Sequence, residues 1–134
     1  MKPTIITLFI LHTFLLSATV NTLPLSLEKR QLYTGQGTYY NPGLGACGQY
    51  DDDNSAIVAL AAPDFDAETP NGNPNRNRLC NRYIRIYYNN RSVEGMVRDR
   101  CPECSSGDVD MSPAMFDNLA NRNLGRISIS WQFI

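Results

Sequence analysis

The stretch that decides the reading is Ser92–Ser112, SVEGMVRDRCPECSSGDVDMS. An apolar strand runs into Asp99, the chain turns through Cys101-Pro-Glu-Cys104, and it emerges at Asp110 just before a helix start. Ser112 suits the N-cap, where its hydroxyl can accept from an unpaired first-turn amide. Pro113 suits the first helical position, which needs no amide donor. Two carboxylates, two cysteines and a helix start thus fall close together.

Upstream, Arg82–Tyr88 (RYIRIYY) alternates, with Ile84, Ile86 and Tyr88 on one face and Tyr83, Arg85 and Tyr87 on the other. Asn89-Asn90 marks a hairpin turn into Ser92–Arg98. Asn90-Arg-Ser92 is also a glycosylation sequon, which makes Asn90 a candidate acceptor in an exposed turn. Downstream, Met111 and Phe116 stand at hydrophobic-staple spacing, and Phe116, Leu119 and Ala120 form the inward face of a short helix. Gly125 ends that connection. Arg126–Phe133 then alternates: Ile127, Ile129, Trp131 and Phe133 face one side, which predicts a half-buried closing strand with Trp131 in the core.

Toward the N-terminus, Gly35–Tyr40 reads as a first strand, with Thr38 and Tyr40 on one face and Tyr39 on the other. Asn41–Gly45 is a turn-rich loop. Asp51–Asp53 is expected to be a solvated acidic loop; it lacks the spacing and closing Glu of an EF-hand. The apolar run Ala56–Ala62, short and followed by Pro63, predicts a buried strand. Asp64–Arg78, polar with Pro70, Gly72 and Pro74, predicts a long surface loop, a kind of segment that is often functional. The whole is mainly β, about six short strands with one or two short helices, in a pattern that suggests a small closed barrel.

Residues 1–20 carry the marks of a secretory signal peptide: Lys2, then the apolar run Ile5–Leu16, then small residues. Residues 21–30 read as a short propiece ending in dibasic Lys29-Arg30, so that the mature domain spans residues 31–134 and the protein is secreted. That domain retains nine basic residues, all arginine, against twelve acidic ones, a net charge of −3. The balance argues against nucleic acid or anionic membrane as partner. The one histidine, His12, lies in the signal, leaving the mature chain no imidazole for base catalysis or metal ligation.

Cys47, Cys80, Cys101 and Cys104 all lie in the mature domain, and an even count in a small secreted chain reads as two disulfides. Of the three possible pairings, Cys47–Cys80 as a long staple with Cys101–Cys104 as a tight local loop is favoured. A four-cysteine zinc site needs a second close pair, which Cys47 and Cys80 do not supply, and no βαβ pattern surrounds Cys-Pro-Glu-Cys to suggest redox catalysis. No metal and no cofactor are expected, and the chain is expected to be a monomer.

Gly37-Thr-Tyr-Tyr40, Ala46-Cys-Gly48, Ile57–Leu60, Leu79-Cys80, Val97–Pro102, Val109–Ser112 and Ile129–Trp131, taken in order, resemble the double-psi β-barrel family of rare lipoprotein A, barwin, the first expansin domain and the small fungal expansin-like loosenins. The resemblance covers the mature chain. It implies a six-stranded barrel crossed by two psi loops, with a groove that holds polysaccharide in many relatives. The family's groove aspartate, the acid of its catalytic members, falls on Asp110; the aspartate before the psi loop falls on Asp99, expected to be structural. An alternative for Asp110 is equally plain, a carboxylate stabilised beside a helix start.

Glycoside hydrolysis normally needs two carboxylates flanking the bond. The related endoglucanases carry their second aspartate after the first strand's aromatic motif, where this chain has Tyr39-Tyr40-Asn41. Asn41 cannot take a proton from water. Rare lipoprotein A uses a histidine after an Ala-Ala pair, where this chain has Ala61-Ala62 followed by Pro63 and Asp64. Both constellations are incomplete, and only an unplaced Asp64 or Asp66 could substitute. The residues therefore point away from an enzyme, and Asp110 is the one candidate if the chain catalyses at all. Tyrosines are abundant at Tyr39, Tyr40, Tyr50, Tyr83, Tyr87 and Tyr88; a tyrosine ring offers an apolar face to a sugar and a hydroxyl to its polar edge. Most are expected to be ordinary strand formers. Asp110, Tyr39, Tyr40 and Asn41 are the expected polysaccharide contacts. The expected function is non-hydrolytic binding and loosening of wall polysaccharide, cellulose or chitin. The alternative is a cysteine-protease inhibitor or effector, since some bacterial proteins of this size and barrel inhibit papain-like enzymes. Its contact loops would be Asn41–Gly45 and Asp64–Arg78. A residual lytic enzyme ranks last.

Overall fold

The computed structural model describes Pro3 and residues 30–134, so the predicted signal peptide and propiece lie outside the described residues save for Pro3 and Arg30. Alternating side chains, and in β2 a continuous buried apolar run, build six strands: β1 Tyr33–Tyr39, β2 Ile57–Ala61, β3 Tyr83–Tyr88, β4 Arg91–Cys101, β5 Val109–Met111 and β6 Ile127–Phe133. They close into a barrel in the order β1-β5-β2-β4-β3-β6. Two parallel pairs, β1 with β5 and β2 with β4, meet along the antiparallel β2–β5 seam. β3 and β4 form the predicted hairpin, and β6 closes the circle antiparallel to both β3 and β1. Two short helices, α1 Ala62–Asp66 and α2 Pro113–Leu119, complete the mainly β fold.

Inward side chains from every strand form one core with Phe65 of α1 and Met115, Phe116 and Leu119 of α2. Trp131 is 1% exposed, stacks on Tyr33 at 4.2 Å, and donates its indole N–H to the Gly107 carbonyl at 2.8 Å. That carbonyl is within reach because the chain passes tightly there: a Cβ on Gly35 would lie 2.3 Å from the Gly107 oxygen. Burying an indole with its N–H paired avoids the desolvation penalty of an orphan donor. At α2, Ser112 caps the helix by accepting from the Met115 amide, and Pro113 opens it.

Two segments differ from the sequence expectation. Asp64–Arg78 is not wholly a surface loop. Pro63 stops β2 but is also well placed in the first turn of a helix. The resulting α1 plants Phe65 in the core with no exposure. Asn77, 4% exposed, donates to the Phe65 carbonyl and Thr69 hydroxyl and accepts from the Leu79 amide, so a polar residue staples the segment from inside. The acidic run is also not merely solvated. Asp51 faces Arg98 at 3.6 Å, Asp52 binds the Asn54 amide and Ser55 hydroxyl, and Asp53 accepts from Asn41. Asp52 closes its own turn, whereas Asp51 and Asp53 tie the loop to β4 and to Asn41.

Candidate functional site

Strand register brings Asp99 and Asp110 onto one row. Thr38 of β1 pairs with Asp110 of β5, Asp110 with Ala59 of β2, and Ala59 with Asp99 of β4. A shift in the β2–β4 register after Val58 sets Asp99, rather than Arg98, opposite Ala59. On β5, Val109 and Met111 are fully buried while Asp110 between them is part-exposed, so Asp110 points out of the barrel. Ala59, 2% exposed, is the covered floor between two carboxylates.

The two acids have different surroundings. Asp99 accepts from three donors: the Ala46 amide at 2.8 Å, its neighbour's Arg100 amide at 2.8 Å, and the Tyr40 hydroxyl at 3.1 Å. Its oxygens are occupied in holding the 41–50 loop against β4. Asp110 receives the Thr38 hydroxyl at 3.0 Å. Burial raises its pKa above the usual carboxylate value; the Thr38 hydrogen bond opposes this, and the Asp99 charge adds to it. Tyr40 is a firm donor, because burial and then the Asp99 charge push its phenol well up.

The disulfides pair Cys47 with Cys80 and Cys101 with Cys104. The second one walls the site: both its sulfurs and a carboxylate oxygen of Asp110 lie within 4.8 Å of one another. That trio is not a metal site, since each sulfur is bonded to the other and offers no thiolate.

Not every sequence candidate joins the row. Tyr39 turns to the opposite face, packs on Phe116 with ring centroids 5.0 Å apart, and points its hydroxyl at the Arg122 carbonyl. Asn41 is nearby in sequence, yet its amide is held by Asp53 with both contacts at 3.0 Å. Asp64 accepts from Ser106 and the Gly107 amide, and Asp66 forms a two-pronged pair with Arg100. Neither is free to serve as a second acid. Asn90 is exposed in the β3–β4 turn. Sequence reasoning missed Thr38 as a partner of Asp110, although its alternation with Tyr40 was visible; only the parallel β1–β5 pairing places it there. A 490 Å³ cavity lined by Tyr33, Leu60, Asp64, Arg82, Trp131 and Phe133, among others, includes no member of the row.

The chain matches no family model. It is 37% identical over 108 residues to the papain inhibitor of Streptomyces mobaraensis, spanning 78% of this chain and 73% of that protein. It is 32% identical over 115 residues to an allergen Asp f 7 homolog of Arthroderma benhamiae, covering 75% of this chain but only 38% of that one. Among solved structures, Streptomyces papain inhibitor superposes with a TM-score of 0.69 at 37% identity, over 78% of this chain and 94% of the other. A mutant Clavibacter michiganensis expansin in complex with cellohexaose superposes with a TM-score of 0.64 over 78% of this chain and 50% of the expansin, at 22% identity, a likeness of fold alone. Shared sequence over most of both chains places the chain in the family of the Streptomyces papain inhibitor, and its closed six-stranded barrel has the expansin-like, rare lipoprotein A-like double-psi fold.

Proposed function

We propose that the protein is a secreted wall-polysaccharide binder that holds cellulose or chitin without cleaving it. The observation that carries this reading is the unequal state of the two row carboxylates. Hydrolysis needs an acid and a second working carboxylate about 5–9.5 Å away. Asp99 is the other acid of the row, and two backbone amides and a phenol occupy it. Asp110 remains as a single part-exposed acceptor for sugar hydroxyls, with the Tyr40 ring and the Cys101–Cys104 disulfide beside it. One acid can bind a glycan but lacks the partner that would complete a cut.

The test is incubation of purified protein with insoluble chitin and cellulose. Depletion from the supernatant, weakened in Asp110→Asn, with no new reducing ends, is expected. Release of reducing ends by the wild type and not by Asp110→Asn would instead establish a lytic enzyme.

A second reading, cysteine-protease inhibition, is favoured by a separate observation: the 37% identity to a papain inhibitor over most of both chains. Titration of papain decides it, with stoichiometric loss of peptidase activity as the supporting result.

A further inference from the structure

The 41–51 loop is a short antiparallel ribbon rather than a floppy connection. Leu44 and Tyr50 are bridged partners, the Gly45 amide donates to the Gln49 carbonyl at 2.9 Å, and the Asp51 amide to the Gly43 carbonyl at 3.1 Å. Directly opposed residues of an antiparallel pair project to the same side, with Cβ atoms about 5 Å apart. Leu44 is 60% exposed and Tyr50 80% exposed. Two large apolar side chains are therefore displayed together.

The ribbon is braced all along its length. Its tip is tied by the Cys47–Cys80 disulfide, by the Cys47 amide on the Arg98 carbonyl, and by the Ala46 amide on Asp99. Its base is tied through Asn41 to Asp53 and through Asp51 to Arg98. Gly45 permits the close approach, since a Cβ there would lie 2.5 Å from the Arg98 carbonyl oxygen. An exposed apolar pair on a pre-ordered backbone loses little conformational entropy on docking, which is how rigid inhibitors gain affinity. Exposed tyrosines on such backbones are typical energetic centres of protein interfaces.

We infer that this ribbon is the surface that enters the substrate cleft of a papain-like cysteine protease, an inference that rests on the inhibitor reading above. Such a cleft accepts extended backbone and seats bulky apolar side chains beside the scissile bond. Leu44 and Tyr50 supply these from a strand-like segment. A ribbon anchored at both ends resists turnover, because the two halves of a nicked chain stay held by the disulfide and the amide contacts. The inferred contact extends past the Asn41–Gly45 segment read from sequence to include Tyr50, and it is distinct from Asp110.

Papain is titrated with the wild type, Leu44→Ala, Tyr50→Ala and Tyr83→Ala. Tyr83, 47% exposed on β3, is the control aromatic. The first two substitutions are expected to raise the inhibition constant tenfold or more each, and Tyr83→Ala to leave it unchanged. Wild-type inhibition with full potency retained in both ribbon variants overturns the ribbon and leaves the inhibitor reading standing. Absence of wild-type inhibition removes both. Hydrogen exchange on the wild-type complex gives a readout that needs no variant: added protection at residues 43–51 supports the inference, and protection confined elsewhere refutes it.

Discussion

Asp99 offers the sharpest test of how this fold holds itself together. Its carboxylate takes the Ala46 and Arg100 amides and the Tyr40 hydroxyl. Asp99→Ala strands all three donors in a half-buried region. Leaving a buried donor unpaired costs about 1–3 kcal/mol, and the low end applies here because water reaches part of the site. Three donors give roughly 3–4 kcal/mol, a large share of the about 5–15 kcal/mol that holds a typical domain. At about 4 °C per kcal/mol for a domain of this size, the melting midpoint drops by about 12–16 °C. Asp99→Asn behaves differently. Both amides converge on the same oxygen, Oδ1, which an asparagine carbonyl can replace, and its amide nitrogen can donate to the Tyr40 oxygen. Its expected loss is only about 1 kcal/mol. Thermal melts of the two variants, with hydrogen exchange at the Ala46 amide, separate the cases. An Asp99→Ala protein that melts within 3 °C of wild type refutes the reasoning. So does an Asp99→Asn protein as unstable as Asp99→Ala, which would mean that charge and not the acceptor pattern matters.

Three further outcomes follow from the same geometry. Asp110 is raised above its ordinary value of 3.8, so the native state binds its proton more tightly than the unfolded chain, and this group's contribution to stability falls as pH rises from 3.8 through the raised value. Asp110→Asn is therefore expected to melt higher than wild type at pH 7, with the gap shrinking as pH falls toward 3.8; a gap that widens in acid contradicts this. Loop-closure entropy makes the two disulfides unequal: replacing Cys47 and Cys80 by Ser costs roughly 4 kcal/mol, against roughly 1.6 kcal/mol for Cys101 and Cys104, as denaturant titration will read. Gly45→Ala drives a Cβ to within 2.5 Å of the Arg98 carbonyl oxygen and is expected to cost about 2 kcal/mol or more, whereas Gly43→Ala, with nothing within 4 Å, should be near neutral.

Much of this was written in local patterns. Period-two alternation in Tyr83–Tyr88 and Ile127–Phe133 specifies which face is buried before any partner is known, because a strand has only two faces. The Ser112-Pro113 start of α2 is equally local, since one side chain and one missing amide decide it. Alternation also separates Tyr39 from Tyr40, and in the barrel Tyr39 rests on Phe116 while Tyr40 reaches Asp99. What no local pattern contains is who stands beside whom. The row Thr38–Asp110–Ala59–Asp99 draws on four strands, with β1 and β2 distant in sequence from the β4–β5 stretch that they join, and a single register shift after Val58 decides that Asp99 faces Ala59. The difference between the two acids has the same origin: a carboxylate's availability depends on the donors the fold brings to it, and the Ala46 amide arrives from more than fifty residues away. Residue identity and spacing decided that this chain becomes a barrel and that Asp99 and Asp110 stand on consecutive strands. Only strand pairing at a distance, where hydrogen-bond register and close packing are settled together, decided that Asp99 binds the loop and that Asp110 takes the Thr38 hydroxyl instead.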